Sequence, residues 1–240
     1  MAGSGKYGVA ALLACGLLVA AGAPARAATV WTADPGRGAA SFGPLDCETP
    51  GGVTVAQDPE RGGVWQYRKP SGAKRCETRG ISVDGTKYAF QNNATYYIGW
   101  WSKMSTLVDT YATFQWKSYG TGSTQNYPFV VATKNGRTTV FQRQPDNNGL
   151  TVWASAPIAA DTWYHYVIGV HTSDEPTGGW IQLWFNGEPQ TFTDGSPRYR
   201  CRTWDVDNDP KWGVYGAQAT EFVNTVAAPK IGTTYEDVAN

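Results

Sequence analysis

Residues 180–193 read WIQLWFNGEPQTFT, and this stretch indicates the fold. Two short runs rich in aromatic and aliphatic residues, 180–185 and 190–193, flank the dipeptide Asn186-Gly187. Asn-Gly tolerates the positive φ angles of a two-residue β-turn, so the pattern predicts a hairpin of two antiparallel strands.

Runs of the same kind recur along the chain, separated by Gly, Pro, Asn and Asp. They lie at 96–101, 112–116, 129–133, 138–142 and 163–170. No window carries the i, i+3, i+4, i+7 apolar spacing of an amphipathic helix. Many short strands at this spacing predict an all-β domain. Such a pattern is typical of a β-sandwich or a jelly roll.

The first 28 residues predict a signal peptide rather than a part of the folded domain. Lys6 is basic, residues 9–21 are apolar, and residues 25–27 (Ala-Arg-Ala) form an A-x-A cleavage site. Residues 12–15 resemble a lipoprotein cleavage box, but the apolar run continues past Cys15, which favours cleavage near residue 27 or 28. We therefore expect a signal peptide at 1–28, a single domain at 29–240, secretion, and no membrane attachment after cleavage.

Composition narrows the choice of partners. The chain has 20 basic and 20 acidic side chains, and Lys6 and Arg26 leave with the signal peptide, so the mature domain is weakly acidic. A nucleic-acid binder would carry a basic excess, and an anionic partner has to be held by local basic clusters. The 11 Trp and 13 Tyr suit a β protein that presents aromatic rings to sugars.

Three cysteines, Cys47, Cys76 and Cys201, remain after signal cleavage. In an oxidising compartment one disulfide and one unpaired thiol are expected, and the sequence leaves all three pairings open.

Three segments place polar side chains on one face of a predicted strand and core side chains on the other, because strand side chains alternate. The polar groups are Arg75, Glu77 and Arg79; Gln115 and Lys117; and Lys211 and Tyr215. Phe114, Trp116 and Trp212 are expected to face the core.

A surface of this composition suits β-elimination from a 4-linked uronate. The reaction removes the weakly acidic C5 proton beside the carboxylate and expels the oxygen on C4. Arg and Gln donors neutralise the carboxylate and stabilise the aci-anion that forms. A Tyr hydroxyl can act as base and then as acid. In glucuronate and mannuronate the C5 proton and the C4 oxygen lie on the same side of the ring, so one Tyr can do both.

The same segments resemble those of jelly-roll polysaccharide lyases. Residues 75–79 (RCETR) resemble the Arg-x-Glu-x-Arg strand of alginate lyases, and residues 115–117 (QWK) stand where those enzymes carry Gln-x-His. Residues 210–218 (PKWGVYGAQ) resemble their Tyr-Phe-Lys-Ala-Gly-x-Tyr-x-Gln strand, in a form similar to the glucuronan lyase and heparin lyase I group. Residues 161–165 (DTWYH) and 176–187 (PTGGWIQLWFNG) are similar to that group as well.

The resemblance implies a two-sheet β-jelly roll of the concanavalin A-like sandwich type, with a substrate groove on its concave face. It also implies an endo-acting polysaccharide lyase whose partner is an anionic polysaccharide. The candidate catalytic residues are Tyr215, Gln115 and Arg79, and the candidate substrate-binding residues are Arg75, Glu77, Lys117, Lys211 and His165. Tyr215 would be base and acid, with Gln115 and Arg79 or Arg75 on the substrate carboxylate. Lys117 in place of His argues against alginate, and the missing basic excess argues against heparin. A β-1,4-linked glucuronate polymer such as glucuronan is the favoured substrate, and alginate and heparin-type polymers stay as alternatives.

Two smaller features have alternative interpretations. His165 shares a strand face with Trp163 and Val167, so it is either a buried structural histidine or a reserve base. Asp205, Asp207 and Asp209 alternate like oxygen ligands, and related lyases often hold a structural Ca²⁺, but a solvated acidic turn explains them too. No organic cofactor is implied, and nothing demands more than a monomer.

Two other functional classes remain as alternatives. A non-catalytic, lectin-like carbohydrate-binding module could use the same fold, but it would not need two Arg, a Gln, a Lys and a Tyr aimed at one point. A glycoside hydrolase needs a pair of carboxylates across its groove, and Glu77 has no evident partner of that kind.

Overall fold

The structure is a computed structural model that describes residues 1–3, 29–146 and 148–240. The expected signal peptide lies almost wholly outside the described residues. Within the described ranges, the strands form two large antiparallel sheets that pack face to face and one small hairpin. A short 3₁₀ segment, Pro35–Ser41, follows the first strand. No helix in the described part of the chain is long and apolar enough to cross a membrane.

The first sheet has nine strands among the described residues. They are β1 (Thr29–Thr32), β3 (Gly52–Asp58), β4 (Gly62–Lys69), β8 (Thr95–Met104), β13 (Trp163–His171), β14 (Gly179–Phe185), β15 (Glu188–Pro189), β16 (Tyr199–Cys201) and β18 (Phe222–Gly232). Their order is β15-β14-β13-β8-β18-β4-β3, with β1 paired to β18 and β16 paired to β14.

The second sheet has seven strands in the same described ranges. They are β2 (Leu45–Cys47), β5 (Arg75–Thr78), β9 (Thr110–Tyr119), β10 (Phe129–Lys134), β11 (Arg137–Arg143), β12 (Gly149–Pro157) and β17 (Asp207–Gly216). Their order is β12-β11-β10-β9-β17-β5-β2. The small hairpin consists of β6 (Ser82–Val83) and β7 (Thr86–Lys87).

Aromatic side chains between the two sheets form the core. Trp100 of β8 stacks on Tyr166 of β13, with ring centroids 5.1 Å apart, and on Phe114 of β9 at 4.6 Å, so one ring joins both sheets. Trp212 of β17 meets Phe114 edge-on at 5.4 Å. Such ring pairs add about 0.5–1.5 kcal/mol each beyond their burial. Phe114, Trp116 and Trp212 are fully buried, so the prediction that they face the core is confirmed.

The hairpin expected at Asn186-Gly187 forms, and both turn residues have positive φ angles, 52° and 83°. Its second strand is Glu188–Pro189, so the expectation of a strand at 190–193 was wrong. Proline has no N–H to donate to a ladder, and β16 takes the other half of the β14 edge.

A bulge in β17 positions Tyr215. Gly213 has a φ of +141°, and a Cβ at this position would lie 2.2 Å from the carbonyl oxygen of Cys76. Only glycine lets β17 approach β5 this closely. The close approach sets Tyr215 opposite Arg75 and Gly213 opposite Glu77 in the strand register.

The disulfide joins Cys47 of β2 to Cys76 of β5, which are paired in the strand register. Cys201 is a buried free thiol. This pairing, which the sequence left open, attaches Asp46 to the strand that carries Arg75.

Removing the cross-link is expected to destabilise the domain. In a Cys47→Ala/Cys76→Ala double variant, the 29-residue separation between the cysteines is no longer closed in the unfolded chain. The unfolded state gains entropy, and the free energy of unfolding should fall by about 2–4 kcal/mol. Urea denaturation followed by Trp fluorescence measures the change. Wild-type protein in reducing buffer is the control and should show the same lowered midpoint; unchanged midpoints in both samples would contradict the prediction.

Candidate active site

A polar cleft of about 310 Å³ lies on the outer face of the seven-stranded sheet, opposite the face that forms the core. It is lined by Pro44, Leu45, Asp46, Arg75, Arg79, Lys117, Tyr119 and Lys211. Four candidate residues, Arg75, Arg79, Lys117 and Lys211, therefore meet in one place. They come from strands β5, β9 and β17 and from the turn after β5.

Glu77 lies beneath this cleft and is 1% exposed. One carboxylate oxygen accepts a hydrogen bond from Gln115 Nε2, and the other accepts one from Lys211 Nζ at 2.9 Å. Arg75 Nη1 lies 3.9 Å from the second oxygen. A buried carboxylate is tolerated when it is paired and hydrogen-bonded. Glu77 on β5 therefore fixes Lys211 of the adjacent strand β17 and Gln115 of β9, the strand beyond it.

Asp46 on β2 completes the cluster from the other side. Its Oδ2 accepts hydrogen bonds from Lys211 Nζ at 2.9 Å and from Arg75 Nη1 at 3.0 Å. Burial alone would raise the pKa of Asp46, but Lys211 and Arg75 outweigh it and hold that pKa below its usual value. The sequence patterns did not indicate Asp46. The signal that could have found it is the Cys47–Cys76 pair, since that pairing puts Asp46 opposite Glu77.

Tyr119, at the end of β9, is a second cleft residue that the sequence patterns did not indicate. The Arg79 guanidinium lies 3.6 Å from the centroid of its ring, and the Lys117 ammonium lies 4.8 Å from it. Burial raises the pKa of Tyr119 well above its usual value, so its hydroxyl is protonated at neutral pH. Extending the Gln115 and Lys117 alternation by two residues would have placed Tyr119 on the same face.

Lys117 is half-buried at the edge of the cleft. Its Nζ donates to the backbone carbonyls of Ser118 at 2.6 Å and Asn126 at 2.8 Å. Burial lowers the pKa of Lys117 to about 8, and repulsion from the other cleft cations, Lys211 first, adds to this effect. The side chain is therefore charged at neutral pH and loses its charge in mildly alkaline solution.

Tyr215 lies at the Arg75 end of the site and is not among the residues that line the cleft. The Arg75 guanidinium covers its ring at 4.4 Å from the centroid, and the Tyr111 ring is 5.2 Å away. Lys74 Nζ lies 5.7 Å from the ring centroid. Arg75 thus contacts both the cleft and Tyr215.

The structure does not bring His165 to this cleft. His165 lies on β13 of the nine-stranded sheet, where it is buried and stacks on Trp101 at 4.5 Å. Its neighbour Tyr166 faces the core, so His165 is on the outer side of its sheet, away from the seven-stranded sheet. Burial lowers the pKa of His165 to about 4, and the ring is neutral at physiological pH. His165 therefore does not contribute to this cleft.

Asp205, Asp207 and Asp209 do not converge on a common point. Asp205 accepts hydrogen bonds at 2.7 Å from two backbone amides of the loop after β9. Asp207 and Asp209 pair with Lys87 at 2.8 and 3.0 Å. In the part of the chain that the structure describes, no group of three or more His, Cys, Asp or Glu residues could hold a metal ion. These aspartates therefore do not fit the calcium site that the resemblance suggested.

The cleft as a whole suits an anion. Four cations surround two carboxylates, and both carboxylates are already bound to Lys211. Neither Asp46 nor Glu77 is therefore free to act as one of the two opposed carboxylates of a glycoside hydrolase. Arg79 and Lys117 remain to meet an incoming negative charge.

Comparison with solved structures identifies similar folds. The endo-β-1,4-glucuronan lyase from the fungus Trichoderma reesei is 16% identical to this chain, with a TM-score of 0.63 over 88% of this chain and 98% of that one. A carbohydrate esterase from the Shiga toxin-encoding bacteriophage phi24B is 12% identical, with a TM-score of 0.59 over 87% and 99%. The alginate lyase from Corynebacterium sp. is 14% identical, with a TM-score of 0.53 over 78% and 82%.

At these identities the likeness shows the fold alone, and the same fold serves lyases and an esterase. It confirms the predicted two-sheet jelly roll. No curated protein matches the chain significantly by sequence. The family model described as polysaccharide lyase, however, matches residues 43–236, which is most of the chain. The chain belongs to the polysaccharide lyase family.

Proposed function

We propose that this polysaccharide lyase is secreted and cleaves a β-1,4-linked glucuronate polymer, with glucuronan as the first candidate. Cleavage would occur within the chain by β-elimination and leave an unsaturated uronate at the new non-reducing end. The observation that carries the proposal is the set of four cations grouped over the buried Glu77. A neutral polysaccharide would not require such a set, whereas every unit of a uronate polymer brings a carboxylate.

The first task of the site is to neutralise the substrate carboxylate, because the C5 proton is too weakly acidic beside a free anion. The Arg79 side chain is 42% exposed, and its contact with Asp209 is 3.6 Å long, so it has donors left for a ligand. Gln115 uses one N–H on Glu77 and keeps a second. Charge-assisted hydrogen bonds from such donors would hold the carboxylate and stabilise the aci-anion.

Tyr215 is the proposed base and acid. Its phenolate oxygen would take the C5 proton, the C–H electron pair would become the C4=C5 double bond, and the C4–O bond would break. The same hydroxyl would then give the proton to the departing oxygen, which lies on the same side of a glucuronate ring. Arg75, against the Tyr215 ring, would balance the phenolate charge.

The shape of the cleft supports cutting within a chain. Lys117 and Tyr119 line both the cleft and a second cavity that continues beyond them. A groove that extends past the reacting unit can hold neighbouring units of a polymer. Export is supported by the signal-peptide pattern at 1–28 and by the disulfide, since disulfides persist mainly in oxidising compartments.

The reaction class can be tested with purified protein and three polymers, glucuronan, alginate and heparin, in separate reactions. Ultraviolet absorbance of the unsaturated ends should rise with glucuronan. Tyr215→Phe should lower kcat by at least about 100-fold, because a phenyl ring cannot accept the proton. Tyr111→Phe is the matched control and should keep the wild-type rate. Flat traces on all three polymers would contradict the proposed function, and a fully active Tyr215→Phe would exclude Tyr215 as the base.

Lys117 is expected to make the KM for glucuronan depend on pH. With a pKa of about 8, its ammonium is present below that pH and is lost above it. The KM should therefore rise between about pH 7 and about pH 9, because a charge that attracts the substrate disappears. Lys117→Arg keeps a permanent charge and should abolish this rise. Initial rates over the pH range give the KM values. An equal rise in both proteins would contradict the assignment.

A further inference from the structure

The second cavity beyond Tyr119 has a volume of about 470 Å³ and a different chemical character from the cleft. Apart from the boundary residues Lys117 and Tyr119, its lining consists of Ser118, Gly120, Ser123, Thr124 and Asn126. These residues offer hydroxyl, amide and backbone groups. Of the described lining residues, Lys117 alone carries a charge at neutral pH.

The wall of the second cavity is a loop that Asp205 holds in place. Its buried carboxylate accepts hydrogen bonds from the amides of Thr124 and Gln125 at 2.7 Å and from the Ser123 hydroxyl at 3.0 Å. Arg202 pairs with the same carboxylate at 3.2 Å and donates to Thr124 Oγ1 at 2.8 Å. Arg202 and Asp205 neutralise each other and hold the loop in place before a sugar binds. Arg202 therefore adds no unpaired positive charge to the cavity.

The boundary residue Lys117 has no donor left for a second carboxylate once it holds the carboxylate of the unit in the cleft. Two of its three ammonium donors are already used on the carbonyls of Ser118 and Asn126. A carboxylate that enters the second cavity would lose water without gaining a dedicated partner, and that loss costs free energy.

We propose that the second cavity binds an uncharged sugar unit next to the glucuronate held in the cleft. The Ser123 hydroxyl can still accept a hydrogen bond and the Thr124 hydroxyl can still donate one. With the Asn126 amide, which does both, they match the hydroxyls of a neutral hexose. The substrate class then includes heteropolymers in which a 4-linked glucuronate is joined to a neutral sugar. This inference rests on the proposed function and concerns the unit beside the one that reacts.

The test uses glucuronan in which a growing fraction of the carboxylates has been reduced at random to the alcohols of glucose. Backbone and linkage stay the same, and only the charge of individual units changes. If the neighbouring unit need not be charged, the initial rate per remaining uronate stays constant or rises. If the neighbour must be a uronate, that rate falls about twofold when half of the units are reduced. The second result would overturn the proposal.

A variant at Asn126 tests the same proposal independently. Asn126→Arg adds a cation to the neutral wall and should raise kcat/KM on intact glucuronan several-fold relative to the half-reduced polymer, through charge-assisted hydrogen bonds. Asn126→Gln is the matched control and should leave the ratio unchanged. A ratio that is the same in both variants would show that the cavity does not contact the neighbouring unit, and the proposal would fail.

Failure of the proposed function has a separate signature. If intact and reduced glucuronan are both left uncut, β-elimination on this polymer is refuted. Calorimetric titration of intact and half-reduced glucuronan oligomers then still tests the cavity without turnover. Comparable affinities support the proposal, and binding of the reduced oligomers about tenfold weaker would overturn it.

Discussion

The buried carboxylate of Glu77 is the interaction on which the site depends. It receives Gln115 from β9 and Lys211 from β17, and it can do so because Gly213 lets β17 lie against β5. Removing one partner of a buried ion pair costs about 3–5 kcal/mol, so these groups are fixed before any substrate arrives. Since Glu77 and Asp46 already occupy Lys211, the positive charge left for a ligand belongs to Arg79 and Lys117.

The core on one side of the seven-stranded sheet determines the chemistry on the other. Strand side chains alternate, so anchoring Phe114 and Trp116 between the sheets turns Gln115 and Lys117 outward. Trp212 does the same for Lys211. The aromatic contacts that join the two sheets therefore also set the positions of the polar groups on the outer face. The cleft and the second cavity lie side by side on this face because the loop after β9, which Asp205 holds, forms the wall of the second cavity.

The alternating pattern was enough to predict the all-β fold, the core residues and the outward groups of three strands. The groups that line the cleft were only partly predictable. The position of Asp46 depends on which cysteines pair. The position of the loop after β9, which lines the second cavity, depends on Asp205, far along the chain. Such long-range contacts leave no local periodicity. His165 was a candidate because of the chemistry of its side chain. The structure places it on the outer face of the other sheet, away from the cleft.

The most direct measurement is a crystal structure of the Tyr215→Phe protein with a glucuronate oligosaccharide. We predict one sugar carboxylate against Arg79 and Lys117, with C5 of that unit facing residue 215. The sugar bound on the outer face of the nine-stranded sheet, with the cleft empty, would contradict this assignment of the active site.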